Sequence, residues 1–208
     1  MVAEADDDMR QILGVDEAGR GPLAGPVAVG VISAPEDFDL LAAFPGLNDS
    51  KQLSEKKREE LFSILCDFEK RGIVSYSVTF SSNTVIDTDG ITRTVAGAAA
   101  RGIRSLLPDP SSATIFLDGL LHAPPEYEQR TVIHGDALIP TIMLASVAAK
   151  VMRDHLMVHE AKNYPSYGFE RHKGYGTAEH IRAIRAFGPA PIHRRTFLSN
   201  ILNASMPA

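Results

Sequence analysis

The sequence lacks most features of disulfide-bonded, zinc-binding and membrane proteins. Its 208 residues include one cysteine and no tryptophan. One cysteine excludes a disulfide framework and a multi-cysteine zinc site, and is typical of a reducing compartment. No segment approaches the roughly 20 apolar residues that span a bilayer. The acidic N-terminal stretch MVAEADDDMRQ has no apolar core, so we expect a frayed lead-in rather than a signal peptide. These absences predict a cytoplasmic protein without a membrane partner.

Charge is distributed unevenly along the chain. The net charge is −5, which by itself argues against a nucleic-acid partner. Residues 150–195 nevertheless contain nine lysines and arginines against four acidic residues, which leaves twelve basic and twenty-two acidic residues elsewhere. A basic C-terminal third beside an acidic remainder favours a polyanion bound by one part and metal-binding carboxylates in another. A solvated helical surface would explain the charge equally well.

The first half of the chain alternates strand and helix patterns. Two β-rich runs, QILGVDEAG and PVAVGVIS, are joined by RGPLAG and predict a hairpin. A helix is predicted from the N-cap residue Ser54 to Gly72, and an alanine-rich helix ends at Pro108. Further strands are predicted over IVSYSVTF, ATIFLDG and TVIHGDA. The second of these belongs in the interior of the sheet because it has few polar interruptions.

From Pro140 onward the pattern is helical. The segment PTIMLASVAAKVMRDHLMVHEAKN predicts one long helix that begins at a proline. A loop rich in aromatic residues, glycine and histidine follows it, and Thr177 caps a further helix. The fold class is therefore α/β with a helical C-terminal extension.

The stretch GVDEAGRG places two carboxylates, Asp16 and Glu17, at the end of an apolar strand and two glycines just after them. Neighbouring side chains on a strand point to opposite faces, so both acids can serve one site only at a strand end or a bulge. A pair of solvated carboxylates in a turn is the alternative. The glycines resemble a dinucleotide-binding loop, but that motif requires a following helix, and VAVGVIS predicts a strand. Glycines instead let the backbone approach a ligand and offer bare N–H and C=O groups to a hydroxyl.

Two more carboxylates follow strand-like runs. Asp118 ends TIFLD, and Asp136 lies in HGDA after the next run. Each alone could be a turn residue, and Asp136 could also begin a helix. A carboxylate at the end of an interior strand is unfavourable unless it is paired or bound to a cation. Four carboxylates at strand ends could gather at one edge of a sheet, where hard oxygen ligands select Mg²⁺ or Mn²⁺.

Seven blocks of the sequence resemble, in order, those of the type 2 ribonuclease H (ribonuclease HII) family. They cover roughly residues 12–197 and are GVDEAGRGPLAGPVAVG, LNDSKQLS, FLDG, HGDALIP, ASVAAKVMRD, RHKGYGT and PIHRRTF. The resemblance implies an RNase H-like fold, which is a five-stranded mixed sheet, its first three strands antiparallel, flanked by helices. We expect an RNase H-like catalytic core over residues 10–140. A helical C-terminal region over residues 141–208 would complete the core and the substrate groove.

The resemblance also implies an activity. The family hydrolyses the RNA strand of RNA–DNA hybrids and nicks duplex DNA on the 5′ side of single embedded ribonucleotides. A metal-dependent endoribonuclease with two Mg²⁺ or Mn²⁺ ions, leaving 5′-phosphates, is therefore expected, with a monomer as the default. Another RNase H-fold nuclease with a different hybrid or junction preference would share the carboxylates without needing the Gly-Arg-Gly turn. A module that only binds hybrids gives no reason to cluster four acids.

The resemblance assigns roles to individual residues. The catalytic metal ligands would be Asp16, Glu17, Asp118 and Asp136. The backbone of Gly19, Arg20 and Gly21 would contact the ribose 2′-hydroxyl. The ring of Tyr175 would stack on the sugar after the scissile linkage. Phosphate contacts, or the shape of the groove, would come from Asn48, Ser50, Lys51, Lys150, His193, Arg194 and Arg195.

Overall fold

The computed structural model describes residues 10–203, with side chains up to Leu202, and contains one five-stranded sheet between two layers of helices. Residues 1–9 of the predicted lead-in MVAEADDDMRQ and the last five residues of the predicted C-terminal region lie outside this range, whereas Gln11, at the end of that lead-in, already belongs to the first strand. No helix within the described range is long and apolar enough to cross a membrane. The strands are β1 (Gln11–Ala18), β2 (Val27–Pro35), β3 (Ser75–Ser81), β4 (Ala113–Asp118) and β5 (Gln129–Val132).

The sheet has the strand order β3-β2-β1-β4-β5. Strand β2 is antiparallel to both β1 and β3, whereas β4 is parallel to both β1 and β5. This topology confirms the predicted mixed sheet, the hairpin of the first two strands and the interior position of β4. Because β1 and β4 are parallel, their carboxyl ends lie at the same edge of the sheet.

Nine helices connect or follow the strands within residues 10–203. The first six are α1 (Leu40–Ala43), α2 (Glu55–Lys70), α3 (Asn83–Asp89), α4 (Ile91–Leu106), α5 (Gly135–Leu138) and α6 (Pro140–Asn163). The last three are α7 (Phe169–His172), α8 (Ala178–Phe187) and α9 (Ser199–Asn203). As predicted, Ser54 and Thr177 cap α2 and α8, because each side chain accepts a hydrogen bond from a backbone N–H of the first turn.

Two sequence predictions about local structure are wrong. The run TVIHGDA is not one strand, since β5 ends at Val132 and the short helix α5 follows. The extended backbone ends because His134 adopts a left-handed conformation with φ of 57°. The predicted loop over residues 164–177 is also more regular than expected. It contains a 3₁₀ turn, Pro165–Tyr167, and the helix α7.

The two faces of the sheet pack against different helices. Odd-numbered residues of β1 and β2, among them Leu13, Val15 and Val29, share a buried cluster with α4. Even-numbered positions face α6, and glycines there allow a close approach. A Cβ atom at Gly14 would lie 2.2 Å from the backbone carbon of Thr141, and one at Gly30 would lie 2.3 Å from the carbonyl oxygen of Ala145. The backbone of α6 therefore lies almost directly on the sheet.

Helix α6 is the first element of the predicted C-terminal region, and it packs into the core. It contacts both β1 and β2, and its buried residues Leu144, Val147 and Ala148 belong to the same cluster as Leu61 and Leu65 of α2. The division at residue 140 stays a prediction. In the structure, helices and strands from both sides of residue 140 contribute to the hydrophobic core.

Substitution of Gly14 by alanine tests this close packing. The added methyl would clash with the backbone of α6, and the clash can be relieved only if the helix moves away from β1. We expect Gly14→Ala to lower the free energy of unfolding by about 1–3 kcal/mol in urea titrations. Gly97→Ala on α4 is the matched control, because a methyl there meets only the Arg101 guanidinium at 3.8 Å. An unchanged midpoint for Gly14→Ala would contradict the packing described.

Candidate active site

The site begins where β1 and β4 end side by side. Pairing between these strands stops at Val15 and Leu117, so the edge of β1 beyond Val15 has no partner on the β4 side. Asp16 lies on this open edge, and Asp118 is the last residue of β4. Each side chain follows an apolar residue packed in the core. Two carboxylates are thereby held at one edge of the sheet by strands that cannot shift without disturbing the core.

Asp136 joins these two acids from a helix rather than from a strand end, which corrects the expectation that all four acids end strands. It lies in the first turn of α5, and its backbone N–H donates to Oδ1 of Asp118 over 3.3 Å. Oxygen atoms of Asp16, Asp118 and Asp136 all lie within 4.8 Å of one another. Asp16 and Asp136 are each 4% exposed. The three side chains form a largely buried cluster, called the aspartate cluster below.

Glu17 faces the same cleft from a different direction. Its Oε1 accepts a hydrogen bond from Nη1 of Arg20 over 3.0 Å. The β1–β2 pairing is regular through Ala18, so no bulge brings Glu17 next to Asp16. Both residues line one cleft because β1 ends there, which is the first of the two arrangements that the sequence allowed. Glu17 is not a member of the aspartate cluster.

Burial and like charge disfavour ionisation of Asp16. Desolvation is the largest cause that raises the pKa of Asp16 well above its usual range, and the charges of Glu17 and Asp118 add to it. A hydrogen bond from Ser146 opposes the shift, and Oγ of Ser146 lies 2.7 Å from Oγ of Ser50. The carboxylates therefore repel one another in a poorly solvated place, and a cation bound among them would relieve that repulsion.

One cation of the chain already contacts the aspartate cluster. Nζ of Lys51 donates to Oδ2 of Asp136 over 2.6 Å, and this hydrogen bond is the main cause that raises the pKa of Lys51. The Lys51 side chain is otherwise largely exposed. The three ligand atoms of the cluster are all carboxylate oxygens, the donor type that Mg²⁺ and Mn²⁺ prefer. The residues present therefore fit a hard divalent ion.

A cleft of about 370 Å³ opens over the cluster and collects most of the predicted substrate contacts. The predicted residues that line it are Asp16, Glu17, Gly19, Arg20, Gly21, Ser50, Lys51, Asp118, Lys150 and Tyr175. Three residues without a predicted role line it too. They are Ala18, Arg58 and Ser146.

The Gly-Arg-Gly turn presents its backbone to this cleft. Gly19 has φ of +88°, a conformation that L-residues rarely adopt. Within residues 10–203, no hydrogen bond uses the N–H groups of Gly19, Arg20 or Gly21. The carbonyls of Gly19 and Arg20, in contrast, accept hydrogen bonds from the Arg194 guanidinium. The turn thus has its acceptors satisfied inside the protein while its donors stay available.

Tyr175 lines the same cleft as the Gly-Arg-Gly turn. Its ring is 41% exposed, and Nζ of Lys150 and Cζ of Arg153 each lie 5.8 Å from the ring centroid. Lys150 also pairs with Asp154 at 2.6 Å, and burial lowers the pKa of Lys150. An exposed ring face beside two cations is suited to stacking on a sugar or base next to a phosphate.

Four predicted substrate contacts do not line the cleft. Asn48 donates to Gln52 on the surface, and the backbone N–H of Arg195 donates to Asp87. His193 and Arg194 are both 0% exposed, so neither can meet a phosphate directly, which corrects that part of the assignment. Of the two adjacent arginines to which the resemblance gives this role, Arg195 is exposed and Arg194 is buried. Arg194 lies under the Gly-Arg-Gly turn instead.

Arg58 and Ser146 are the site residues that the sequence analysis missed. Nη1 of Arg58 donates to the carbonyl of Ser50 over 3.0 Å, which ties the start of α2 to the loop that carries Lys51. Ser146 had a usable signal, since it precedes Lys150 by four residues on α6 and therefore lies on the same face of that helix. Arg58 had none, because nothing in the sequence distinguishes it from the other charged residues of α2.

Comparisons with known proteins agree with this geometry. A family model described as Ribonuclease HII matches residues 13–200. The ribonuclease HII of Endomicrobium trichonymphae is 45% identical over 186 residues, which is 89% of this chain and 84% of that protein.

Solved structures give the same result for the fold. The ribonuclease H2 of Pyrococcus horikoshii OT3 is 26% identical, with a TM-score of 0.69 over 92% of this chain and 96% of that one. The RNase HII of Archaeoglobus fulgidus, solved as a PCNA complex, is 23% identical, with a TM-score of 0.73 over 95% and 98% of the two chains. These neighbours confirm the predicted RNase H-like fold.

The raised pKa of Asp16 predicts how metal-free stability depends on pH. Because the pKa of Asp16 is higher in the folded than in the unfolded protein, protonation of Asp16 stabilises the fold. This contribution to the free energy of unfolding is fully present below the pKa of the unfolded state and is lost as the pH rises through the raised pKa of the folded state. With a chelator at pH 7, we expect Asp16→Asn to unfold at higher urea concentration than the wild type. The difference should shrink as the pH falls toward the usual carboxyl range near about 4.

The exposed acid Asp67 on α2 provides the control for this experiment. Asp67→Asn should change the free energy of unfolding by less than about 0.5 kcal/mol across the same pH range. If Asp16→Asn were instead less stable than the wild type at pH 7, the carboxylate would be stabilising the fold and the electrostatic description of the site would be wrong.

Proposed function

The chain belongs to the ribonuclease HII family, and from this premise we propose that it is an endoribonuclease that hydrolyses the RNA strand of RNA–DNA hybrids. We propose further that it nicks duplex DNA on the 5′ side of single embedded ribonucleotides and leaves 5′-phosphates. The observation that carries this proposal is one cleft in which the aspartate cluster lies beside a backbone turn with free N–H groups. A monomer and a cytoplasmic location stay predictions.

The aspartate cluster would hold two Mg²⁺ or Mn²⁺ ions. When bound, such ions activate a water and stabilise the leaving 3′-oxygen in an in-line displacement at phosphorus. Asp16 and Asp118 would hold the ions, because β1 and β4 end side by side and carry these two carboxylates. Asp136 would complete one ion and Glu17 the other. For this, Asp136 must release Lys51 and Glu17 must release Arg20, both of which are contacts at the mouth of the cleft.

Lys51 and Arg20 would then become available to the substrate. Each is a cation that is paired with a prospective metal ligand and remains partly exposed. With the carboxylates neutralised by bound divalent ions, the Lys51–Asp136 and Arg20–Glu17 ion pairs would weaken, and both cations would be free to contact phosphate oxygens. Lys150, Ser50 and Arg58 line the same cleft and would add phosphate contacts. Contacts of this kind carry no base information, so affinity should fall with salt rather than vary with sequence.

The turn formed by Gly19, Arg20 and Gly21 would recognise the ribose. A 2′-hydroxyl is the group that separates RNA from DNA, and it can accept a hydrogen bond from a backbone N–H. On an all-DNA duplex these donors would have no hydroxyl to pair with. Sites that pair with a hydroxyl generally reject the analogue that lacks it by several kcal/mol. Discrimination would thus come from the backbone, which no side-chain substitution at Arg20 removes.

Cleavage of defined duplexes tests the proposed reaction. We expect Mg²⁺-dependent nicking of a DNA duplex with one ribonucleotide, on its 5′ side, and no cleavage of the matching all-DNA duplex. Asp16→Asn and Asp118→Asn should each lower the rate by roughly 10³-fold, which corresponds to about 4 kcal/mol of transition-state stabilisation. Mg²⁺ should also raise the melting temperature of the wild type but not of Asp118→Asn, because a ligand stabilises only a protein that binds it.

Asp67→Asn serves as the carboxylate control and should cleave at the wild-type rate. Comparable cutting of the all-DNA duplex would remove the hydroxyl-sensing role and favour an RNase H-fold nuclease with a different hybrid or junction preference. An Asp118→Asn protein that retains full activity would contradict the metal assignment.

The proposed stacking role of Tyr175 makes a separate prediction. Tyr175→Ala removes the exposed ring and should lower kcat/KM on the single-ribonucleotide duplex by the equivalent of about 1–3 kcal/mol. Tyr175→Phe keeps the ring and should stay within about threefold of the wild type. Steady-state cleavage assays measure both variants. Wild-type kcat/KM for Tyr175→Ala would show that the ring does not contact the substrate.

A further inference from the structure

Two arginines lie completely inside the protein beneath the Gly-Arg-Gly turn. Arg153 of α6 and Arg194 near the C-terminus are both 0% exposed, and each is among the largest fully buried side chains. Neither guanidinium forms an ion pair with a carboxylate among the described residues 10–203. Burying a charge without a counter-ion is unfavourable unless hydrogen bonds replace its hydration. These two residues therefore need an explanation beyond packing.

The Arg194 guanidinium donates its hydrogen bonds to the segment of residues 19–26, which follows β1. Nη2 donates to the carbonyl of Gly19 over 2.6 Å, Nη1 to that of Arg20 over 2.9 Å, and Nε to that of Gly25 over 2.9 Å. The backbone N–H of Arg194 adds a bond to the carbonyl of Leu23 over 2.9 Å. One residue thus binds both ends of the segment.

Arg153 binds the same segment from the other side. Nε donates to the carbonyl of Pro26 over 2.9 Å and Nη2 to that of Ala24 over 3.2 Å. Its third bond runs from Nη1 to the carbonyl of Lys173 over 3.0 Å, just before the turn that carries Tyr175. A Cβ at Gly19 would lie 1.9 Å from Nε of Arg153, so the turn rests directly on this side chain.

Together the two arginines bind five carbonyls of residues 19–26, while the N–H groups of residues 19–21 have no partner within the described chain. Peptide groups are planar, so fixing a carbonyl also fixes the direction of the N–H in the same peptide group. Holding the carbonyls of Gly19 and Arg20 inward therefore leaves the N–H groups of Arg20 and Gly21, which share their peptide groups, directed away from the two cations. Two buried positive charges also raise the potential on the cleft side, which favours an anionic or electron-rich ligand.

The fold maintains this arrangement against a large desolvation penalty. Burial, with the charge of Arg153 next, lowers the pKa of Arg194 to about 9, and burial likewise lowers the pKa of Arg153. An apolar pair of similar volume would avoid this penalty, so stability alone gives no reason to place two guanidiniums here.

We propose that Arg153 and Arg194 are positioning residues for ribonucleotide selection, which hold the carbonyls of residues 19–26 inward so that the Gly-Arg-Gly N–H groups meet the 2′-hydroxyl. The inference rests on the proposed function of that turn. A planar guanidinium offers donors in a fixed fork, whereas a lysine ammonium is a single point of charge and cannot span three carbonyls. Lysine at either position therefore keeps the charge but loses the positioning.

The Arg194→Lys variant tests the inference through two measurements on one protein. The first is kcat/KM on the duplex with one ribonucleotide, and the second is the dissociation constant for the all-DNA duplex by fluorescence anisotropy. We expect kcat/KM to fall by roughly 10- to 100-fold, because hydroxyl-directed donors are lost from the transition state. The all-DNA dissociation constant should change by less than about threefold, since phosphate contacts dominate it.

Two further variants separate positioning from general damage. Leu65→Ala creates a cavity in the α2–α6 cluster, far in sequence from residues 19–26, and lowers the melting temperature without touching the turn. Leu65→Ala should therefore leave unchanged the ratio of kcat/KM on the single-ribonucleotide duplex to the affinity for the all-DNA duplex. Arg153→Lys should shift the ratio in the same direction as Arg194→Lys, and it keeps the inference testable if Arg194→Lys does not fold. Backbone amides of residues 18–26 should also exchange faster in both lysine variants.

Each other outcome has a definite meaning. A wild-type ratio in a folded Arg194→Lys or Arg153→Lys protein would overturn the inference and leave the proposed function intact. Equal losses in both measurements would overturn it too, because they would indicate general damage to the substrate surface. A wild-type protein that cleaves all-DNA and ribonucleotide-containing duplexes equally would refute the proposed function first, and the positioning role with it.

Discussion

The close contact between α6 and the sheet is the constraint on which the rest of the molecule depends. Gly14 and Gly30 have no side chain to hold the helix off, so the backbone of α6 lies against β1 and β2. That contact sets the distance from Asp16 to Ser146, and from residues 19–26 to Arg153. One helix therefore carries a hydrogen-bond donor to a prospective metal ligand, a cleft lysine and a buried arginine on a single rigid scaffold. Bulkier residues on the sheet would displace all three together.

Opposite charges occupy opposite sides of the short segment that follows β1. The aspartate cluster lies on the side of the sheet edge, and two guanidiniums lie beneath residues 19–26. Both sets are poorly solvated, and each has a different form of compensation. Under the proposed function a bound cation would compensate the carboxylates, whereas the guanidiniums are satisfied by carbonyls that the fold supplies. The basic side is therefore satisfied within the protein, whereas the acidic side offers ligands that suit a hard cation.

The sequence predicts the strand-end carboxylates of the site better than the short helix and the buried arginine beside them. Apolar runs that end in Asp16 and Asp118 predict two strands with carboxylates at their ends, and the family resemblance supplies the expectation that these acids meet at one site. Asp136 could not be placed with the same accuracy, because the left-handed His134 that ends β5 has no clear sequence signal. The resemblance assigns Arg194 a phosphate contact or a role in the shape of the groove, whereas its burial is explained by the carbonyls of a segment some 170 residues away. A contact between such distant parts of the chain produces no periodic pattern in the sequence from which it could be predicted.

The proposed metal ligands and the proposed ribose-binding turn lie next to each other in the sequence. Asp16 belongs to the aspartate cluster, Glu17 is the next proposed metal ligand, and Gly19 begins the turn that would contact the sugar, so only Ala18 separates the proposed metal ligands from the proposed ribose contact. Asp16 is fixed by β1 and α6, and Gly19 by the two buried arginines. The distance between the reacting phosphorus and the 2′-hydroxyl is likewise set by one nucleotide. A short stretch of backbone of fixed length can therefore match a fixed distance in the substrate, and a sugar without its hydroxyl would leave the donors of the turn unpaired at the moment when the phosphate reaches the carboxylates.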